Sequence, residues 1–238
     1  MARAGIPILA VLIDADNSSP QWAEAIFEEI AALGEASVRR IYGDFSRPAL
    51  KGWNDRLAGL ALVPHHSPAN TVGKNASDIA LVIDAMDLLH SGRFDGFVLI
   101  SSDSDFTRLA SRIREQGLDV YGIGQQKTPE AFRKACKRFI FVENLTGESE
   151  PDQRDAAKRE SPAHAVPLIT AAMQAIDKDQ EWFPLGPLGQ KITTNHPDFD
   201  ARTYGCAKLS DLIRKAGGFE TRTSGNQLEV RVKPKRKA

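Results

Sequence analysis

Two short apolar segments that each run into an aspartate constrain the fold of this chain more than any other feature. Residues 8–13 (ILAVLI) lead directly into Asp14, and residues 96–100 (GFVLI) are closely followed by Asp103. Segments of this kind indicate strands that are buried on both faces, as in a parallel sheet covered by helices. Acids at the carboxyl ends of such strands lie in the crevice where open α/β sheets bind ligands.

The first 145 residues alternate between strand-like and helix-like segments. Predicted strands lie at 8–13, 37–42, 60–64, 96–101, 119–123 and 139–142. Predicted helices lie at 20–33, 48–58, 77–90, 104–116 and 129–137. This alternation predicts an α/β fold in which a parallel sheet has helices on both faces.

A polar segment at 147–162 has almost no apolar side chains, which predicts a solvated and flexible linker. Beyond it, three predicted helices and two predicted strands around a Ser-Gly-Asn turn indicate a small winged-helix domain. These elements lie at 163–177, 186–195, 206–216, 219–222 and 227–232. The expected organisation is a first domain at 1–146, a linker at 147–162, a second domain at 163–233 and a basic tail at 234–238.

The composition is that of an ordinary soluble globular protein, with 31 basic and 31 acidic residues. Residues 1–149 contain 16 basic and 19 acidic residues, whereas residues 150–238 contain 15 and 12. The basic excess of the second part is a weak sign of nucleic-acid binding and is equally typical of a solvated end. Two distant cysteines predict neither a disulfide framework nor a metal site. No secretory signal or membrane span is expected, and a cytoplasmic location fits.

Four acids are candidates for a divalent metal site: Asp14, Asp78, Asp103 and Asp105. Two of them end predicted neighbouring strands, and the other two open predicted helices. Clustered carboxylates repel one another, so a fold keeps them together mainly to hold a cation. Hard cations such as Mg²⁺ and Mn²⁺ prefer oxygen ligands. For each acid alone, the alternative is a solvated helix cap.

Two further acids, Asp16 and Asp84, are secondary candidates. Asp84 lies six positions after Asp78, which turns it away from the same helix face. Its expected role is therefore to orient a ligand or a lysine. Asn17 is suited to hydrogen-bonding a phosphate, although a residue of this type is equally typical of a helix start.

Three motifs carry a resemblance to a known family. They are residues 11–17 (VLIDADN), 74–85 (KNASDIALVIDA) and 100–106 (ISSDSDF). Their order and spacing resemble those of NYN domains, the LabA/DUF88-type members of the PIN-like nuclease superfamily. The resemblance implies a Rossmann-like PIN fold and a ribonuclease that depends on Mg²⁺ or Mn²⁺.

The resemblance also implies roles for individual residues. It assigns the metal-binding and catalytic roles to Asp14, Asp78, Asp103 and Asp105. Supporting roles fall to Asn17, Lys74, Asp84 and Ser102. Ser102 stands where the family often has glycine, a difference expected to affect the approach of substrate more than the carboxylates.

The second domain is similar to a LOTUS (OST-HTH) domain. The matching segments are 182–189 (WFPLGPLG), 197–200 (PDFD) and 204–213 (YGCAKLSDLI). That family is a winged helix associated with RNA binding and occurs fused to NYN domains, so the resemblance implies RNA as a partner. The candidates for RNA contact in this domain are Arg202, Lys208, Arg214, Lys215 and Arg222, and a basic stretch late in the first domain adds Arg133 and Lys137. Each of them is equally explained as surface decoration.

Three functions remain open at this stage. The first is a metal-dependent endoribonuclease with an RNA-binding module. The second is a catalytically inactive adaptor that binds RNA or a protein through the LOTUS domain. The third is a phosphatase of the haloacid-dehalogenase type, since Asp14 and Asp16 copy its acid pair, but the lysine which that chemistry needs is missing between Ser101 and Asp103. A homodimer also stays open.

Overall fold

The computed structural model describes residues 5–67, 75–145 and 159–234. The chain divides into two compact units, Met1–Thr146 and Gly147–Ala238. Lys74, most of the predicted linker and most of the predicted basic tail lie outside the described residues. The exact domain bounds therefore stay a prediction.

The first unit is built on a six-stranded parallel sheet. Its strands are β1 (Ile8–Asp14), β2 (Glu35–Gly43), β3 (Val63–His66), β4 (Gly96–Ile100), β5 (Asp119–Gly124) and β6 (Arg138–Phe141). They lie in the order β3-β2-β1-β4-β5-β6, and all neighbours are parallel. The strand order reverses direction between β1 and β4, and this switch point is where open α/β sheets form their ligand crevice.

Helices cover both faces of this sheet. They are α1 (Ala23–Leu33), α2 (Lys51–Asn54), α3 (Ala76–His90), α4 (Thr107–Glu115) and α5 (Glu130–Ala135). Alternate residues of β1 supply the two cores: Ala10 and Leu12 pack in the cluster that contains α3, α4 and α5, whereas Leu9, Val11 and Ile13 pack in the cluster that contains α1 and α2. The α/β class predicted from the buried apolar segments is thus confirmed.

The strand predicted at 60–64 is wrong in its position, because the observed strand is Val63–His66. The residues before it form turns, and Ala61 adopts a positive φ of 52°. A non-glycine residue in this region breaks an extended strand. The leucines of this segment pack in the core from a turn, which an apolar pattern alone does not distinguish from a strand.

The helix predicted at 48–58 is much shorter in the structure. A 3₁₀ turn at Pro48–Leu50 is followed by a single α-helical turn at Lys51–Asn54. Gly52 and Asn54 both have low helix propensity, and no side chain caps the segment. The helix therefore ends after one turn.

Within residues 159–234 the second unit has three α-helices and a small antiparallel sheet. The elements are α6 (Ala165–Ile176), β7 (Phe183–Pro184), α7 (Leu185–Asn195), α8 (Leu209–Ala216), β8 (Phe219–Ser224) and β9 (Gln227–Val232). The sheet order is β7-β9-β8. Ile169, Ile192 and Leu212 meet in one core, which gives the predicted winged-helix arrangement. In the described part of the chain, no helix has the length and apolar character needed to cross a membrane.

Candidate active site

The carboxylate of Asp14 is placed by the pairing of the two central strands. Ile13 of β1 lies opposite Ile100 of β4, so the next residues, Asp14 and Ser101, meet at the carboxyl edge. Ser101 Oγ donates a 2.6 Å hydrogen bond to Asp14 Oδ2. Both residues are buried, with 1% and 2% of their surface exposed. This contact fixes one oxygen of the carboxylate.

The other oxygen of Asp14 is held by the loop that it begins. The backbone N–H groups of Asp16 and Asn17 donate to Asp14 Oδ1 at 3.1 and 3.2 Å. Burial raises the pKa of Asp14, while the hydrogen bonds from Ser101 and Asn17 act in the opposite direction. The predicted supporting role of Asn17 is consistent with this contact, and the carboxylate has little freedom to turn.

Asp103 and Asp105 lie on the turn that follows β4. The N–H of Asp103 donates to Ser101 Oγ at 3.0 Å, so one hydroxyl links this turn to Asp14. Asp103 Oδ1 accepts the N–H of Asp105 at 2.9 Å and caps the 3₁₀ turn Ser104–Phe106. Asp103 is therefore both a cap and a site candidate, and the two descriptions do not exclude each other.

Asp78 lies in the first turn of α3 and faces the acids of the sheet edge. Its pKa is raised to about 6, first by burial and then by the charges of four other aspartates. These four are Asp14, Asp103, Asp105 and Asp16. Within the described residues, the Asp78 carboxylate has no hydrogen bond or ion pair. Five carboxylates from three separate segments therefore share one electrostatic field.

Asp16 differs from the other acids because it has a cationic partner. Arg47 Nη1 lies 3.2 Å from Asp16 Oδ1. Ser77 Oγ, from the first turn of α3, donates to Asp16 Oδ2 at 3.4 Å. Asp16 thus lies at the rim of this group of carboxylates and stays a secondary candidate.

The acid cluster, defined as Asp14, Asp78, Asp103 and Asp105, offers the donors that a hard cation prefers. All of its donor atoms are carboxylate oxygens, and within residues 5–67, 75–145 and 159–234 none of its members is paired with a lysine or arginine. Burial and, after it, the charges of the neighbouring carboxylates raise the pKa of Asp78. Among these same residues, however, no group of three His, Cys, Asp or Glu side chains is gathered closely enough to hold a metal ion. The donor atoms fit a divalent cation in kind and in charge, but the described side chains are not close enough to one another to coordinate one.

Asp84 is not part of the acid cluster. A single oxygen, Asp84 Oδ2, accepts from Tyr42 Oη and Arg40 Nη1, both at 2.8 Å, and lies 3.2 Å from His65 Nδ1. This group ties α3 to β2 and β3. The expectation that Asp84 faces away from Asp78 agrees with this contact set, and its partner is an arginine in place of the predicted lysine or ligand.

Ser102, the other supporting candidate, contacts the loop that follows β5. Its Oγ accepts the backbone N–H of Gln125 at 3.0 Å. The side chain therefore fixes a neighbouring loop, and its expected effect on the approach of substrate stays a prediction.

Most of the arginines predicted to contact RNA have acidic partners. Arg202 pairs with Asp200 at 2.6 Å, Arg214 with Asp211 at 3.4 Å, and Arg222 with Glu229 at 2.7 Å. Their role in RNA contact stays a prediction, because an exposed ion pair is weak enough to exchange partners.

The lysines among the RNA candidates differ from one another, and so does the remaining arginine. Lys137 Nζ lies 2.6 Å from Asp119, a hydrogen bond that raises the pKa of the lysine. Arg133 lies over the ring of Phe141, 5.7 Å from its centroid. Lys208 and Lys215 are exposed, and neither has an acidic partner in the described part of the chain. These two lysines are the better candidates for binding a phosphate.

The residue that sequence reasoning missed is Ser101. Ser101 is not among the predicted site residues, whereas in the structure it bridges Asp14 and the turn of Asp103. A signal was present, since two predicted parallel neighbours that end in Ile-Asp and Ile-Ser place the two polar residues side by side at the sheet edge.

Comparisons with known proteins agree with this architecture. The family model of the NYN domain matches residues 8–143, and that of the OST-HTH/LOTUS domain matches residues 160–230. A search of curated proteins found no match. Among solved structures, the chain is similar to a protein of unknown function from Vibrio parahaemolyticus, with 20% identity and a TM-score of 0.48 over 58% of this chain and 94% of that one.

Proposed function

This chain belongs to the NYN domain family, whose members are part of the PIN-like nuclease superfamily, and we propose that it is a ribonuclease that hydrolyses phosphodiester bonds with the help of Mg²⁺ or Mn²⁺. The acid cluster is the proposed catalytic site, with Asp14, Asp78, Asp103 and Asp105 as metal ligands. The second unit is proposed to hold the RNA. No finding supports a homodimer.

A single observation carries the proposal: Asp78 faces four other aspartates and has no cation beside it in the described residues. A fold that only needed helix caps would not bring these charges within reach of one another, because their mutual repulsion lowers stability. Perturbed acids in a crevice are a mark of functional sites. A divalent cation would remove the repulsion and explain why the cluster is kept.

In the proposed reaction, a cation activates the reacting groups and the residues around the site hold the acids in place. A bound divalent cation would supply Lewis acidity toward a phosphoryl oxygen and toward an attacking water. Ser101 and the N–H groups of Asp16 and Asn17 hold Asp14 in one orientation. The N–H of Asp105 donates to Asp103 Oδ1, and this hydrogen bond holds the Asp103 side chain against the turn that follows β4. Holding the donors in place before substrate arrives reduces the cost of reaching the transition state.

The proposal is tested by cleavage of a mixture of unstructured RNAs with Mg²⁺, with Mn²⁺ and with a chelator. Asp103→Asn keeps the capping oxygen but removes the charge, so cleavage should fall by at least about a hundredfold while the unit stays folded. Asp87→Asn is the matched control, because Asp87 is an exposed acid of α3 outside the acid cluster. Cleavage by Asp103→Asn at the wild-type rate would refute the proposed site.

A second candidate function is an adaptor without nuclease activity. It is favoured by the spacing of the acids, since no three of the described acidic, histidine or cysteine side chains lie close enough to hold an ion. The adaptor would bind RNA or a protein through the LOTUS domain. The two candidates differ in one readout: a divalent cation should raise the melting temperature of the nuclease, and Asp103→Asn should remove that rise.

A further inference from the structure

A polar cavity of about 480 Å³ adjoins the acid cluster at the carboxyl edge of β1, β4 and β5. The loop after β1 and the turn after β4 contribute Asp16 and Asp103, and the loop after β5 contributes Gln125 and Lys127. Ligand pockets of proteins have volumes of roughly 300–1,000 Å³, so this cavity has room for a group the size of one nucleotide. None of the three sequence motifs includes the loop after β5.

The loop after β5 is fixed by hydrogen bonds at several points. The N–H of Gln125 donates to Ser102 Oγ at 3.0 Å, and the N–H of Gln126 donates to both carboxylate oxygens of Glu143 at 3.1 and 3.2 Å. The N–H of Thr128 then donates to the Gln125 carbonyl at 2.9 Å and closes a turn around Lys127. Lys127 therefore extends from a defined turn.

The same turn is seated tightly on the sheet. Thr128 is only 2% exposed, and a Cβ atom on Gly124 would lie 2.9 Å from its Oγ1 and 2.5 Å from the carbonyl oxygen of Ser101. Such a contact is too close for any side chain, so glycine at 124 permits the turn to pack against the end of β4. This packing holds the loop next to the strand that carries the acid cluster.

Lys127 supplies positive charge beside an otherwise acidic site. It is exposed and is the one cationic residue among the described residues that line the cavity. Within the described part of the chain Lys127 has no ion-pair partner, whereas Arg47, which follows β2 at the same edge of the sheet, is paired with Asp16. A phosphate in this cavity would therefore meet one free ammonium group.

We propose that this cavity binds the nucleotide adjacent to the cleaved bond and that Lys127 binds the flanking phosphate of that nucleotide. The subsite rests on the proposed ribonuclease function and adds a residue to it. Lys127 offsets the repulsion between the acid cluster and the RNA backbone on one side of the cleaved bond. It positions the substrate and takes no part in bond breaking.

The test measures binding of 5′-AMP and cleavage of single-stranded RNA by the full-length chain in Mg²⁺. Lys127→Ala should weaken 5′-AMP binding by about tenfold, because it removes one charge-assisted contact. It should raise KM for RNA by a similar factor and leave kcat nearly unchanged. Lys127→Arg should recover most of the affinity. Lys134→Ala is the matched control, since Lys134 is an exposed lysine of α5 that does not line the cavity.

The outcomes separate this subsite from the proposed function. RNA cleavage by the wild type, together with unchanged 5′-AMP affinity and KM in a folded Lys127→Ala variant, would refute the subsite and leave the ribonuclease proposal standing. Absence of 5′-AMP binding to the wild type would also refute it. If the wild type cleaves no RNA while Lys127→Ala still weakens 5′-AMP binding, the cavity binds a nucleotide through Lys127, but the proposed function and the place of that nucleotide beside a cleaved bond are both refuted.

Discussion

The two units differ in how their charged side chains are paired. In the first unit, Asp78 faces other carboxylates and its pKa rises to about 6. In the second unit, Arg222 and Arg231 lie over the Trp182 ring, with guanidinium carbons 4.2 and 4.6 Å from its centroid. Arg222 also pairs with Glu229 at 2.7 Å, and Arg231 pairs with Glu181 and Glu220. One surface leaves charges unmatched, and the other matches them.

This difference indicates which charged groups have a structural role and which are kept for a ligand. A charge with a partner and an aromatic contact contributes to the fold, although an exposed pair contributes little. A group of like charges without partners lowers stability. A protein keeps such a group where it binds a ligand or an ion. The acid cluster is therefore the better guide to function, and the arginines of the β8–β9 hairpin are the poorer one.

The largest effect should come from removing one charge of the acid cluster. Asp14→Asn keeps the size of a side chain that accepts hydrogen bonds from Ser101 and two backbone N–H groups. RNA cleavage with Mn²⁺ should fall by at least about a hundredfold, because one of the proposed metal ligands is lost. Circular dichroism should show an intact fold. If cleavage is unchanged, the contrast between unmatched and matched charge has no bearing on catalysis.

A large loss of stability should follow from removing Asp84, whose charge is fully matched. Its Oδ2 accepts from Tyr42 and Arg40, and His65 lies beside it. Asp84→Ala leaves the buried Tyr42 hydroxyl and the Arg40 guanidinium without this acceptor, which should lower the free energy of unfolding by about 2–3 kcal/mol. Urea denaturation measures it. Asp87→Ala on the same helix is the control, and an equal loss in both variants would contradict a special role for Asp84.

The opposite sign is expected for Asp78, whose charge is unmatched. Its folded pKa of about 6 lies above the ordinary aspartate value of 3.8, so ionisation of Asp78 opposes folding at neutral pH. Asp78→Asn should therefore raise the free energy of unfolding at pH 7 by about 1–2 kcal/mol, a range reduced for the partial exposure of the side chain. The gain should shrink as the pH falls through 6 and vanish near pH 4, where the folded wild type is protonated.

Thermal unfolding of both proteins across this pH range, without divalent ions, measures the effect of Asp78. Adding Mg²⁺ should stabilise the wild type and narrow the gap between the two proteins. A variant that is less stable than the wild type at pH 7 would show that the Asp78 carboxylate has a stabilising partner in the fold.

The smallest effect is expected in the second unit. Lys208 and Lys215 are exposed and have no acidic partner among the described residues, so the double change to alanine should weaken RNA binding by about three- to tenfold at low salt. The affinity of this variant should also depend less steeply on salt, because fewer counterions are released. Arg222→Ala, which removes an arginine paired with Glu229, should change affinity less. A larger loss in Arg222→Ala, measured by fluorescence anisotropy, would reverse this ranking.

Much of the architecture could be predicted from local patterns in the sequence. The buried segments at β1 and β4 have no alternation of polar and apolar residues, which requires helices on both faces, and the structure has them. The predictions failed at two segments, one because packing overruled the apolar pattern and one because helix propensity is low. The apolar segment before β3 packs from a turn, and Gly52 and Asn54 limit α2 to one turn. The strand β7 has two residues and exists only because β9 pairs with it.

The sequence by itself identified the acids that we propose to carry the chemistry, because acids that follow buried parallel strands have only one edge of the sheet to occupy. Only the tertiary structure decided how those acids are held. The hydroxyl of Ser101 donates to Asp14 from the end of a neighbouring strand. Burial, together with the charges of acids from separate segments, raises the pKa of Asp78. Electrostatic energy depends on distance through space, which sequence separation does not give. For the same reason, the position of Lys127 beside the acid cluster follows only from the structure, in which β5 lies next to β4.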